Sequence, residues 1–194
     1  MDDARRYQQV DLPFYRQEVA PFLPARVLDF HAHVWTKAHW KVVPWQTDAA
    51  GARYMVTDED YSIEQLARDG RALFADREFE AVCFGNPTPA ADLAKTNAYL
   101  ARAGGKPGLF PLMVVGRDGL PGDELERRVL DGGFFGFKVL LNWYGNNYGR
   151  VRVEDMIGPT EMALADRMGL VVLLHVPGAG RLADPAVQEG VRRL

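Results

Sequence analysis

Val27-Leu28-Asp29-Phe30-His31-Ala32-His33-Val34-Trp35 is a short apolar run that ends in two histidines one residue apart. Side chains alternate between the two faces of a β-strand, so Asp29, His31 and His33 are expected on one face, with the imidazoles about 6–7 Å apart along the strand. That spacing lets two ring nitrogens converge on one metal ion. A helix would send positions i and i+2 to different sides. The β-branched and aromatic content, with Pro24 just upstream, favours a strand over residues 27–34. The same tripeptide also arises by chance on strands whose imidazoles bond only to backbone or water. Its position favours the metal reading, because an apolar strand gives way here to a long polar and aromatic segment, as where βα loops build sites in parallel α/β folds.

The chain has 194 residues, enough for one domain with a substantial core, and 47% hydrophobic with 25% charged residues is an ordinary soluble composition. A net charge of −3 singles out no partner. Arg127-Arg128 and Arg192-Arg193 read as solvated helix faces and no basic patch is dense, so nucleic acid is not expected. The N-terminus is charged and no apolar h-region follows it; the longest apolar stretch, residues 169–177, falls well short of the roughly 20 residues a bilayer needs. Neither secretion nor membrane insertion is expected. The lone Cys83 excludes a disulfide within the chain, reads as a small buried hydrophobe, and fits a reducing, cytoplasmic setting.

Residues 1–24 read as an N-terminal arm packed on the main body, with Pro13, Pro21 and Pro24 expected to prevent a long continuous helix. Residues 25–194 form the domain itself. The segment after the first strand carries Trp35, Trp40 and Trp45 with Lys37, His39 and Lys41; it either borders a site or covers the end of the core. Beyond it a unit repeats. Strands are expected at 79–84, 109–115, 134–141 and 170–175, and helices at 63–74, 91–103, 122–131 and 153–168, the last interrupted near Gly158-Pro159. Ser62-Ile63-Glu64-Gln65 has capping-box spacing, and a further helix opens with Asp184 as N-cap and Pro185 at its first position.

Alternating strands and helices, with strands apolar throughout, predict an α/β fold on a parallel sheet. Five βα units suit an open doubly wound sheet of flavodoxin order, 2-1-3-4-5, or the first five-eighths of a TIM (β/α)8-type barrel. His175 ends the fifth strand as His31 and His33 end the first. In the open sheet those strands lie far apart, whereas a barrel brings their inward side chains to one mouth. The expected fold is therefore an incomplete TIM-type barrel.

Leu28-Asp29-Phe30-His31-Ala32-His33 is similar to the D-x-H-x-H signature on the first strand of the metal-dependent amidohydrolase superfamily. Residues from Ile157-Gly158-Pro159-Thr160 through Gly169 to His175 resemble the helix and fifth strand, with its metal histidine, of the amidohydrolase-related branch, which includes aromatic-acid decarboxylases and hydrolases. Gly133-Phe134-Phe135-Gly136-Phe137-Lys138 looks like that branch's glycine-rich lead into strand four. The resemblance runs from about Ala25 to Leu194. It implies His31, His33 and His175 as metal ligands, together with a strand-six histidine and a catalytic strand-eight aspartate that would lie beyond Leu194. The chain stops inside a helix, so a piece of a longer protein is expected, inactive alone; a truncated gene or a degenerate relative is the alternative.

Three imidazoles suit Zn2+, with Mn2+ or Fe2+ as alternatives. The expected activity is metal-dependent hydrolysis of a C–N or C–O bond in a small molecule, or else non-oxidative decarboxylation of an unsaturated or aromatic acid. Asp29 is expected to orient a ligand ring, or to bond to backbone as a core carboxylate. Trp35, His39, Asn142, Trp143 and Tyr144 are the candidates for contacting substrate, with loop packing as their other reading. Lys138 invites comparison with the superfamily's carboxylated lysine but reads as lying near the start of strand four, away from the end where sites form. Open strand edges are expected to drive self-association.

Overall fold

The fold is that of a computed structural model, which describes residues 3–41, 59–86, 88–116, 119–139 and 149–194. Five strands carry it: β1 (Arg26–His33), β2 (Glu78–Phe84), β3 (Leu109–Val114), β4 (Gly136–Lys138) and β5 (Val171–Leu173). Each runs parallel to the next, in the order β1-β2-β3-β4-β5, as a curled half-barrel sheet. The flavodoxin order is thereby excluded. Sequential parallel strands joined by right-handed crossovers place their helices on one side, so among the described residues no helix covers the concave side.

The helices are α1 (Ile63–Leu73), α2 (Leu93–Leu100), α3 (Gly122–Gly132), α4 (Pro159–Met168) and α5 (Pro185–Arg193). Ser62 caps α1 by accepting the Gln65 N–H at 3.0 Å, and Asp184 caps α5 by accepting that of Ala186 at 2.9 Å. A short 3-10 turn, Val153–Asp155, precedes α4, so the break at Gly158-Pro159 falls where the sequence puts it. The convex side is fixed by two contacts. A Cβ at Gly70 of α1 would lie 2.1 Å from the Phe79 ring, and Asn97 of α2 bonds both the N–H and the carbonyl of Val114 at 2.9 Å. Ile63, Cys83, Leu100, Leu125 and Phe137 are among the residues buried between sheet and helices.

Two expectations need correction here. The prolines of the arm do not break it: helical turns continue from Asp3–Arg6 through π-type turns at Tyr7–Asp11 and Tyr15–Val19 to a 3-10 turn at Ala20–Phe22. The wider π turn opens the room that the Pro13 ring would otherwise take from the preceding carbonyl. The arm packs Leu12, Tyr15 and Ala20 against Phe74, and the Tyr15 hydroxyl donates to Asp76 at 2.5 Å. The fourth strand starts later than residue 134, because Gly133, at φ +59, closes α3 in a left-handed cap and Phe134 N–H is still tied to Val129. Pairing begins at Gly136, so Lys138 is the last paired residue of β4 and not near its beginning. Among the described residues no helix is long and apolar enough to cross a membrane.

Candidate functional site

Strand register decides which side chains face the concave side. Phe79 lies against α1, so Ala81 and Cys83 share the convex face while Glu80, Val82 and Phe84 face the concave one. Extending the pairs across the sheet puts Leu112, Gly136, Lys138, Val171 and Leu173 on that concave face. His33 pairs with Phe84 and joins them. His175 lies two residues past the end of β5.

A bulge in β1 alters the expected alternation. Asp29 pairs with Ala81 and Ala32 with Cys83, so Phe30 and His31 together oppose Val82 alone. Asp29 therefore falls on the convex side and not on the face of His33. It accepts the backbone N–H of His31 at 2.9 Å, bracing the bulge, and its charge reaches both His31 and Tyr61.

Phe84, fully buried, is the floor on which the site stands. The His31 and His33 rings meet it edge-on, with centroids 5.0 and 4.6 Å away, and lie 5.3 Å from each other. The Lys138 ammonium sits 4.9 Å from the Phe84 ring centroid, and Lys138 is 2% exposed. Its charge acts on His31, His33 and His175 alike, so the four groups share one electrostatic environment. Burial pushes the Lys138 pKa down to about 8. Burial, then His31 and Lys138, push His33 down to about 4, against the opposing pull of the hydrogen bonds it donates to Asn86 and to the Gly85 backbone. His31 is lowered by burial and then Lys138, and His175 by burial, then Lys138, Arg181 and His31. All three imidazoles are thus held neutral near pH 7, the form whose lone pair binds metals.

Comparison with protein-family models, with characterised proteins and with solved structures finds no match. The suitability of the site for a metal therefore rests on its own atoms. His33 Nδ1 is buried and has no hydrogen-bond partner, an orphan that a cation would satisfy. The donor chemistry suits zinc. The positions are looser: among the described residues no group of three or more His, Cys, Asp or Glu side chains is placed to hold a metal ion.

The other candidates lie elsewhere. Trp35 is tied to the chain ahead of α1, its indole N–H donating to the Glu59 carbonyl at 2.8 Å and its ring packed on Tyr61. His39 lies edge-on to Tyr99 of α2; the charges acting on it belong to Asp92, Lys95 and Asp60, none of which acts on the concave histidines. Asn142, Trp143 and Tyr144 lie outside the described residues. Cys83 is buried on the convex side, its thiol pushed up to about 12, which suits a packing role. A cavity of about 570 Å3 opens on the helix side between α2 and α3, and no histidine lines it. Two residues of the concave mouth escape a reading by motif. Asn86 looks like part of a turn in Gly85-Asn86-Pro87 yet is buried against His33, and Lys138 is misplaced when strand four is started too early.

Proposed function

We propose that this chain carries the first five βα units of a TIM-type barrel of the metal-dependent amidohydrolase kind. Its concave mouth then holds a divalent metal, zinc first, for hydrolysis of a C–N or C–O bond in a small molecule. The observation that carries this reading is that His31 and His33, their rings 5.3 Å apart at the end of β1, and His175, just past β5, all feel the charge of one buried Lys138 although more than 140 residues separate them in sequence. His31, His33 and His175 would hold the metal. When bound, such an ion lowers the pKa of a coordinated water to about 7 and polarises a carbonyl.

The chain's own residues supply the rest. Asn86 fixes the orientation of His33, Phe84 gives a flat apolar floor for substrate, and burial keeps all three imidazoles deprotonated. Metal content measured by mass spectrometry on the wild type and on a His31→Ala, His33→Ala double variant tests the reading. About one zinc or manganese per chain, lost in a double variant whose circular dichroism is unchanged, supports it. Absence of metal from wild-type protein refolded with added zinc overturns it.

A further inference from the structure

Several cations at the surface of this protein are paired with carboxylates. Arg26 reaches Glu80 at 2.8 Å, Lys106 reaches Glu64 at 3.2 Å and Arg193 reaches Glu154 at 2.6 Å. Lys138 is 2% exposed, yet among the described residues it has no carboxylate partner and no hydrogen bond; its one polar contact is the face of Phe84. The chain that follows, residues 139–149, contains no Asp or Glu. An ammonium removed from water is ordinarily neutralised by a paired anion, so a well-buried lysine that meets none among the described residues is suited to an anion brought by a bound molecule.

The surroundings point to where that charge comes from. Lys138 faces the concave side, between the histidines of β1 and His175. Arg181 adds a second cation within reach of His175, its guanidinium anchored on the Val176 carbonyl at 2.8 Å. Among the described residues the carboxylate that acts on His31 is Asp29, which stands on the convex side of the bulge and is occupied with the His31 N–H. The mouth formed by the described residues is therefore cationic with an apolar floor, and its low dielectric strengthens any charge pair formed inside it.

Resting on the reading of this mouth as a small-molecule site, we propose that Lys138 anchors a negatively charged oxygen group, a carboxylate or a phosphate, on the molecule bound there. Lys138 is then a specificity-determining residue, placed like a point charge with three N–H donors above Phe84. The flat floor suits a planar or apolar body attached to that anion. Neither the metal nor its ligands are needed for this contact.

The test is a ligand-observed NMR titration of the full chain with benzoate, with benzamide as its uncharged counterpart and with inorganic phosphate, before and after treatment with a chelator. In the wild type one or both anions saturate, and benzamide binds at least tenfold more weakly than benzoate. Lys138→Met loses at least tenfold in anion affinity while its Tm stays level or rises, because Met fills the same volume without a charge. Anion binding that survives chelation bears on Lys138 alone, whereas metal lost from the His31→Ala, His33→Ala variant bears on the metal alone. Lys138 as anchor is overturned by benzamide matching benzoate in the wild type, by anion affinity unchanged in Lys138→Met, by anion binding that disappears on chelation, or by saturation with neither anion.

Discussion

Burial lowers the proton affinity of both Lys138 and His33, and that loss is visible in stability against pH. Lys138 titrates near 8 in the folded chain and near 10.5 when unfolded, so between those values the unfolded state holds the extra proton and stability rises with pH. The stabilisation is complete above 10.5 and is lost as pH falls through 8, a change of about 3 kcal/mol at 1.36 kcal/mol per pKa unit. The Cys83 thiol works in the opposite sense above pH 9 and is common to both proteins when wild type is compared with Lys138→Met. In urea melts the variant is expected to exceed the wild type at pH 7.5, with the gap closing towards pH 10.5. A gap independent of pH would show that Lys138 is solvated. His33 titrates near 4 against 6.5 unfolded, so its contribution is whole above 6.5 and disappears as pH falls through 4. The histidine pair was legible because H-x-H at a strand end is a local pattern; Lys138 was not, because its depth depends on where β4 begins to pair.

At the scale of elements, β4 is short and tightly held. A Cβ at Gly136 would stand 1.9 Å from the Val171 carbonyl oxygen, and a backbone atom cannot move aside as a side-chain tip can. Gly136→Ala is expected to destabilise the chain by about 2–3 kcal/mol, read from the urea midpoint, and to part β4 from β5. A variant as stable as wild type would mean that the β4–β5 approach is looser than this. The bulge in β1 belongs to the same scale. Asp-Phe-His-Ala-His is strictly alternating in side-chain type, and nothing in it signals an extra residue. The bulge follows from fitting β1 to β2, where Asp29 and Ala32 must pair with Ala81 and Cys83, and it turns Asp29 away from the face of His33. The arm shows the same limit: Pro13 reads as a helix breaker, yet it sits in a short α-turn, Leu12–Phe14, flanked by π turns that carry the helical path past it.

For the molecule as a whole, the exposed apolar side chains of the sheet lie on its two end strands. Leu28 and Val171 face the concave side at 45% and 40% exposure, Phe30 opposes Val82 at 46%, and β1 and β5 are the two end strands of the sheet. Apolar surface next to end strands favours association with a second copy. Sedimentation velocity is expected to show species larger than a monomer at tens of micromolar, and Leu28→Lys combined with Val171→Lys to shift the population to monomer. A wild type that stays monomeric throughout would refute this.

The sequence alone determined the alternation of strands and helices, the caps at Ser62 and Asp184, the break before Pro159 and the two histidines at the end of the first strand, because each is a property of neighbouring residues. Strand order, the bulge, the burial of Asn86 and the meeting of Lys138 with His31, His33 and His175 were decided only by tertiary structure. These depend on which strands pair and in what register, and register is set by packing between segments far apart in the chain, where a shift of one residue moves a side chain to the opposite face.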